Sequence, residues 1–121
     1  MARRDIIGAV DFPYLESYAA GDGALIEEVL AMFDEQTELW LRLLNPEGDP
    51  NAWRDGAHTL KGASAGIGAS TLAAVCAEAE AAWESAPGPK AALLERVLSA
   101  LNLARTDIAA YRHERALQSL K

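Results

Sequence analysis

Four clusters of glycine and proline cut this chain into segments of helix length: Gly21-Asp22-Gly23, Asn45-Pro46-Glu47-Gly48, Gly66-Ile67-Gly68 and Pro87-Gly88-Pro89. Glycine and proline tolerate a helix interior least, so each cluster predicts a break. Between the breaks, apolar residues recur every third or fourth position and never alternate as in a strand. A first helix is predicted over about 11–20, with Phe12, Leu15 and Tyr18 at helical spacing. The second covers about 23–44, capped by Asp22, with Leu25, Val29, Met32, Phe33, Gln36, Trp40 and Leu43 on one stripe. Asp49-Pro50 opens a third, because a capping carboxylate precedes a proline whose missing N–H does no harm there. That helix runs to about Ala65, where the glycines stop it. Ser70 is placed to cap a fourth helix, whose stripe is Leu72, Val75, Cys76, Ala79 and Trp83. The fifth starts at Pro87-Gly88-Pro89 and carries Leu94, Val97, Leu101, Ala104, Ile108 and Tyr111. From about Arg112 onward the residues read as solvated and are expected to fray.

Alanine and leucine dominate the apolar half of the composition, and both favour helices. Short connections between long amphipathic helices predict antiparallel neighbours. The expected fold is therefore all-α, an antiparallel up-and-down four-helix bundle with a short extra N-terminal helix. At 121 residues the chain suits one domain over 1–121, with a core over about 11–112.

The net charge of −7 argues against nucleic acid, which needs a basic stripe to displace counterions, and against an anionic membrane surface. No apolar run approaches the roughly 20 residues of a membrane span. Met1-Ala2-Arg3-Arg4 is basic, but Asp5 and only a brief apolar stretch follow, which makes a poor signal peptide. The single cysteine, Cys76, excludes an intramolecular disulfide. A monomeric cytoplasmic protein is expected.

The chemistry is concentrated in Ala57-His58-Thr59-Leu60-Lys61-Gly62-Ala63-Ser64. Trp53, Ala57, Leu60, Ser64 and Ile67 form the stripe that must face the core. His58 follows Ala57, so it is rotated by about 100° toward the edge of that stripe. Lys61 and Gly62 lie three and four residues on, sharing the face of His58, and Ala65 continues the row. A neutral imidazole can attack phosphorus near neutral pH, and a lysine can offset the charge of arriving phosphoryl oxygens. Gly62 gives up roughly 1 kcal/mol of helix propensity against alanine. Two reasons would account for it: clearing space beside His58, or close packing against another helix.

His58-Thr59-Leu60-Lys61-Gly62, with Ala57 before and Ser64, Gly68 and Ala69 after, resembles the signature of the histidine phosphotransfer (HPt) domain family. The resemblance extends to Phe33 on the helix before the motif and to Leu72, Cys76 and Glu80 on the helix after it. It implies a phosphorelay carrier. His58 would take a phosphoryl group from a receiver-domain aspartate and pass it to another receiver in two-component signalling. Lys61 would stabilise charge, Gly62 would give access, and Glu80 would orient the imidazole. Receiver domains of response regulators, and an upstream hybrid or separate histidine kinase, are the implied partners. They would dock over a patch that includes Arg54 and Ala65, bringing their own Mg²⁺, so the chain is expected to need no cofactor or metal and to be no enzyme. The sequence departs from the family pattern at Ala79, where a larger apolar residue is common, and in its glycine-rich Gly66-Ile67-Gly68.

Other readings are weaker on the residues themselves. His113 sits among Arg112, Glu114 and Arg115 and reads as solvated surface, while Cys76 lies on an apolar stripe and reads as a buried, inert thiol. Asp55-Gly56-Ala57-His58 imitates one half of a di-metal site, but the residue three before His113 is Ala110. No serine or cysteine partner suggests hydrolysis, and a chain of this length leaves no room for an ATP-binding domain. The rival is an all-helical adaptor that binds a signalling partner through the same face and is never phosphorylated.

Overall fold

The computed structural model describes residues 6–120, in which all regular structure is helical. The basic start at residues 1–4 lies outside them. Three aspartates open helices by accepting an orphan backbone N–H. Asp11 takes Tyr14 N–H at 3.1 Å to begin α1 (Phe12–Tyr18), and Asp22 takes Leu25 N–H at 3.1 Å to begin α2 (Gly23–Leu41). Asp49 takes Asn51 N–H at 2.9 Å ahead of Pro50, the first residue of α3 (Pro50–Gly66). Helices α4 (Ser70–Ala81) and α5 (Pro87–Gln118) complete the chain. In the bundle α3 packs on α4, α4 on α5, and α2 on both α3 and α5, while α1 lies against α2. The predicted bundle with its extra N-terminal helix is the observed architecture. No helix among the described residues is long and apolar enough to cross a membrane.

The stripes predicted on α3 and α4 enter the core as expected: Trp53, Ala57, Leu60, Ser64 and Ile67, then Leu72, Val75, Cys76 and Ala79. So do Val97, Leu101, Ala104, Ile108 and Tyr111 of α5, whereas Leu94 and Trp83 are only partly buried. Ala79, small for its place, lets the Trp53 indole approach closely enough for Nε1–H to donate to the Ala79 carbonyl at 2.6 Å.

Five expectations need correction. The stripe of α2 is rotated: Ile26, Leu30, Phe33 and Thr37 are buried, while Leu25, Met32 and Leu43 are exposed. This helix is apolar on two adjoining faces, and contact with α3 and α5 chooses between them. Helix α1 stops at Tyr18 rather than near residue 20, because Ala20 and Gly21 take positive φ of 53° and 76°. Helix α2 ends at Leu41, three residues early, as its last turn tightens into bonds from Leu43 N–H to Trp40 and from Leu44 N–H to Leu41. That turn swings Leu44 into the core. Ser70 is the first residue of α4 and not its cap; fully buried Ala69 holds the cap position with no side-chain bond, since the turn at 67–69 is packed inward.

The C-terminal turns do not fray after Arg112, since α5 continues to Gln118. Ion pairs lace it to α2: Arg112 holds Glu27 and Asp34, and Arg105 holds Glu38 while donating to the buried Thr37 hydroxyl at 2.6 Å. Burial pushes the Asp34 carboxyl above its ordinary range, against the pull of Arg105 and Arg112. Deeper in α5, the fully buried Asp107 accepts N–H groups from Ile7, Ala9 and Val10 at 2.8, 2.6 and 3.2 Å. These bonds tie down the segment that leads into α1.

Candidate functional site around His58

Helix geometry alone places His58 beside the core stripe, and the tertiary structure leaves it in the open. Its neighbours in sequence, Ala57 and Leu60, are fully buried, while the His58 side chain keeps 67% of its exposure. Arg54, Lys61, Gly62 and Ala65 share this outer strip of α3. Packing of α4 against α3 adds Glu80 from across the seam. One carboxylate oxygen of Glu80, Oε2, lies 2.9 Å from His58 Nδ1, and the other, Oε1, lies 2.6 Å from Lys61 Nζ.

An ionised carboxylate only accepts hydrogen bonds, so Nδ1 of a neutral His58 must carry the proton and Nε2 keeps the lone pair. The hydrogen bond from Lys61 holds the Glu80 carboxyl below the usual carboxylate range; burial works against this, and His58 adds to it. Glu80 therefore stays anionic at neutral pH. One turn before His58, the Arg54 guanidinium sits 4.6 Å from the Trp83 ring centre and 3.9 Å from Asp55. This cation–π contact holds Arg54 at the rim of the patch.

The two reasons considered for Gly62 separate cleanly. A Cβ built at Gly62 meets nothing within 4 Å, so helix packing does not require glycine there. It is Gly56, on the buried face of α3, that lets α2 come close: a Cβ there would lie 2.8 Å from Leu43 Cβ and 3.1 Å from the Trp40 carbonyl. Gly62→Ala is accordingly expected to raise the unfolding free energy by up to about 1 kcal/mol in urea titrations. Gly56→Ala should lower it by about 1–3 kcal/mol through overpacking. Equal effects of the two substitutions would contradict this division of roles.

Beside the His58 row lies a feature that periodicity does not reveal. Tyr14, Tyr18, Met32 and Trp40 border an apolar surface groove of about 530 Å³ that Ala63 and Ala65 of α3 close on one side. Tyr18 and Met32 stay 77% and 48% exposed, a high figure for such side chains. Its signal in the sequence is the second apolar face of α2, which spacing alone assigns to the core. Ala65 belongs both to the row that begins at His58 and to this groove.

The remaining candidates lie apart. His113 is exposed near the far end of α5, in a shallow hollow with Glu27 and Arg112. Cys76 is buried, and burial pushes its thiol up to about 12, where it holds its proton. Among the described residues, no group of three or more histidine, cysteine, aspartate or glutamate side chains could hold a metal ion.

Comparisons with known proteins agree on one group. The Hpt domain family model matches residues 24–112. The chain is similar to the crystal structure of histidine phosphotransferase ShpA from Caulobacter crescentus, with 52% identity over 94% of this chain and 100% of that one, and a TM-score of 0.77. It is also similar to histidine-containing phosphotransfer protein B (HptB) from Pseudomonas aeruginosa PAO1, with 26% identity over 91% of this chain and 97% of that one, and a TM-score of 0.73. No curated protein matches it.

Proposed function

The chain belongs to the Hpt domain family, and from that premise we propose that His58 is its phosphoryl acceptor in a two-component phosphorelay. The imidazole takes the group from the aspartate of one receiver domain and hands it to the aspartate of another. The observation that carries this reading is an exposed imidazole whose Nδ1 is tied to Glu80, which leaves the Nε2 lone pair directed away from that bond. Lys61 stands one turn along, where a mobile ammonium can meet phosphoryl oxygens. Gly62 leaves the approach clear.

The chain acts as a carrier in this account and not as an enzyme. The receiver supplies the catalytic carboxylates and Mg²⁺, and an upstream histidine kinase feeds the relay. Residues 1–121 work as one cytoplasmic, monomeric unit. A receiver has an obvious resting place, since the apolar groove reaches Ala65 and continues the His58 row, while Arg54 marks the opposite rim. Apolar contact area of this kind supplies affinity, and the charged rim sets orientation.

The test is phosphoryl transfer itself. The protein is mixed with a phosphorylated receiver domain and Mg²⁺, and label that is acid-labile and base-stable is sought on the chain. Such label, gained as the receiver loses its own, is the expected result. A complex with the receiver that forms without any label would instead identify an adaptor, and the carrier reading would fall.

A further inference from the structure

At seven residues α1 is only two turns long, too short to hold its helical form or its place without help. Its inner face, Phe12 and Leu15, enters the core, while its outer face gives Tyr14 and Tyr18 to the border of the apolar groove. Where those two rings stand is therefore decided by whatever anchors α1. One stretch of α5 supplies much of that anchorage. Phe12 stacks on Tyr111 with ring centres 4.1 Å apart, and the Tyr111 hydroxyl donates to Glu16 at 2.6 Å. One turn earlier, Asp107 gathers the backbone just ahead of α1: Oδ1 accepts from Ile7 N–H, and Oδ2 from Ala9 and Val10 N–H. Gly8, at a φ of 91°, makes the turn that lets these N–H groups converge on one carboxylate. A carboxylate buried this completely is costly unless it is bonded, and an apolar side chain would serve packing better. Its use at position 107 is to hold that backbone.

We propose that Asp107 is a positioning residue for receiver docking, fixing through residues 7–10 the place of α1 and so of the Tyr14 and Tyr18 wall of the groove. The proposal rests on the reading that a receiver docks over this groove to exchange phosphate with His58. Asp107 does not line the groove itself, and its bonds go to the backbone ahead of α1. It acts on how firmly a receiver is held and not on the chemistry at the imidazole.

Two variants loosen the anchor. In Asp107→Asn one oxygen remains, able to serve Ile7 or the Ala9 and Val10 pair, while the amide N–H₂ is turned against the other. In Gly8→Ala the side chain strains the turn at an exposed position, where a Cβ meets nothing within 4 Å and the bundle is left alone. For both, single-turnover loading from a phosphorylated receiver is expected to half-saturate at about tenfold higher receiver concentration, with the limiting rate unchanged. Loading by phosphoramidate, which needs no docking, should match that of the native chain. Hydrogen exchange gives a readout without any receiver: α1 amides should exchange about tenfold faster in both variants, and those of α3 and α4 at native rates. A double-mutant cycle locates the cause. In a chain carrying Tyr14→Ala and Tyr18→Ala, which lacks the wall, Asp107→Asn should raise the half-saturating concentration no further. An additive effect in that background, a lowered limiting rate at unchanged half-saturation, exchange that quickens through the whole bundle, or an Asp107→Asn chain that does not fold would each overturn the proposal. Failure of the native chain to accept phosphate from any receiver counts against the carrier reading instead, and the exchange pattern still decides whether Asp107 sets α1.

Discussion

His58→Gln is expected to abolish phosphoryl labelling by a phosphorylated receiver, while His113→Gln leaves labelling intact. Glutamine retains comparable reach and polarity but offers no nitrogen lone pair able to form a stable N–P bond, so the loss is chemical and not partial. The substitution is also mild for the fold. His58 is mostly exposed, its side chain bonds the partly exposed Glu80, and its helix is held by the buried stripe on the other face. Exposed substitutions away from caps and cores change stability by only about ±0.5 kcal/mol. Circular dichroism and the urea midpoint should therefore match those of the native chain. His113 is the control because it shares the side-chain chemistry, is likewise open to solvent, and has no lysine three or four residues along its helix. Label that survives the loss of His58, or that vanishes with His113, would move the site elsewhere.

The largest stability effect is expected at Trp53. Its indole is the bulkiest fully buried side chain, donating to the Ala79 carbonyl on one side and lying 5.2 Å from the Lys90 ammonium on the other. It therefore joins α3, α4 and α5 at one point. Trp53→Ala removes that apolar surface, leaves a cavity and strips the carbonyl of its donor, and should cost about 3–5 kcal/mol in urea unfolding. That corresponds to a fall in Tm of roughly 10–20 °C for a domain of this size. Trp53→Phe restores much of the volume and not the hydrogen bond, so it should cost less, about 1–3 kcal/mol. A loss below about 1 kcal/mol for Trp53→Ala would mean that the bundle does not depend on this contact.

Much of the site is legible in the order of residues alone, for a reason visible in α3. Its stripe, its proline start and the rotation of His58 from that stripe are all properties of one continuous helix. They follow from a repeat of 3.6 residues and need no knowledge of neighbours. Helix α2 shows where this ends. Leu25, Met32 and Leu43 make as good a stripe as Ile26, Leu30 and Phe33, and only contact with the rest of the bundle separates the exposed face from the core face. The hydroxyl of Ser70 suits a cap, whereas the packing of Ala69 decides the register. Local polarity after Arg112 suggests fraying, yet Arg112 finds its partners, Glu27 and Asp34, on another helix.

The chain on its own determined five helices, their breaks, and which side of α3 carries an imidazole, an ammonium and a bare backbone position, because each of these is settled within a few turns of a single segment. Tertiary structure decided that Gly56 and not Gly62 serves packing, that Glu80 bridges His58 and Lys61, and that Asp107 holds backbone groups almost a hundred residues away. Those outcomes turn on distances between segments remote in sequence, and such distances exist only once the helices have chosen their partners.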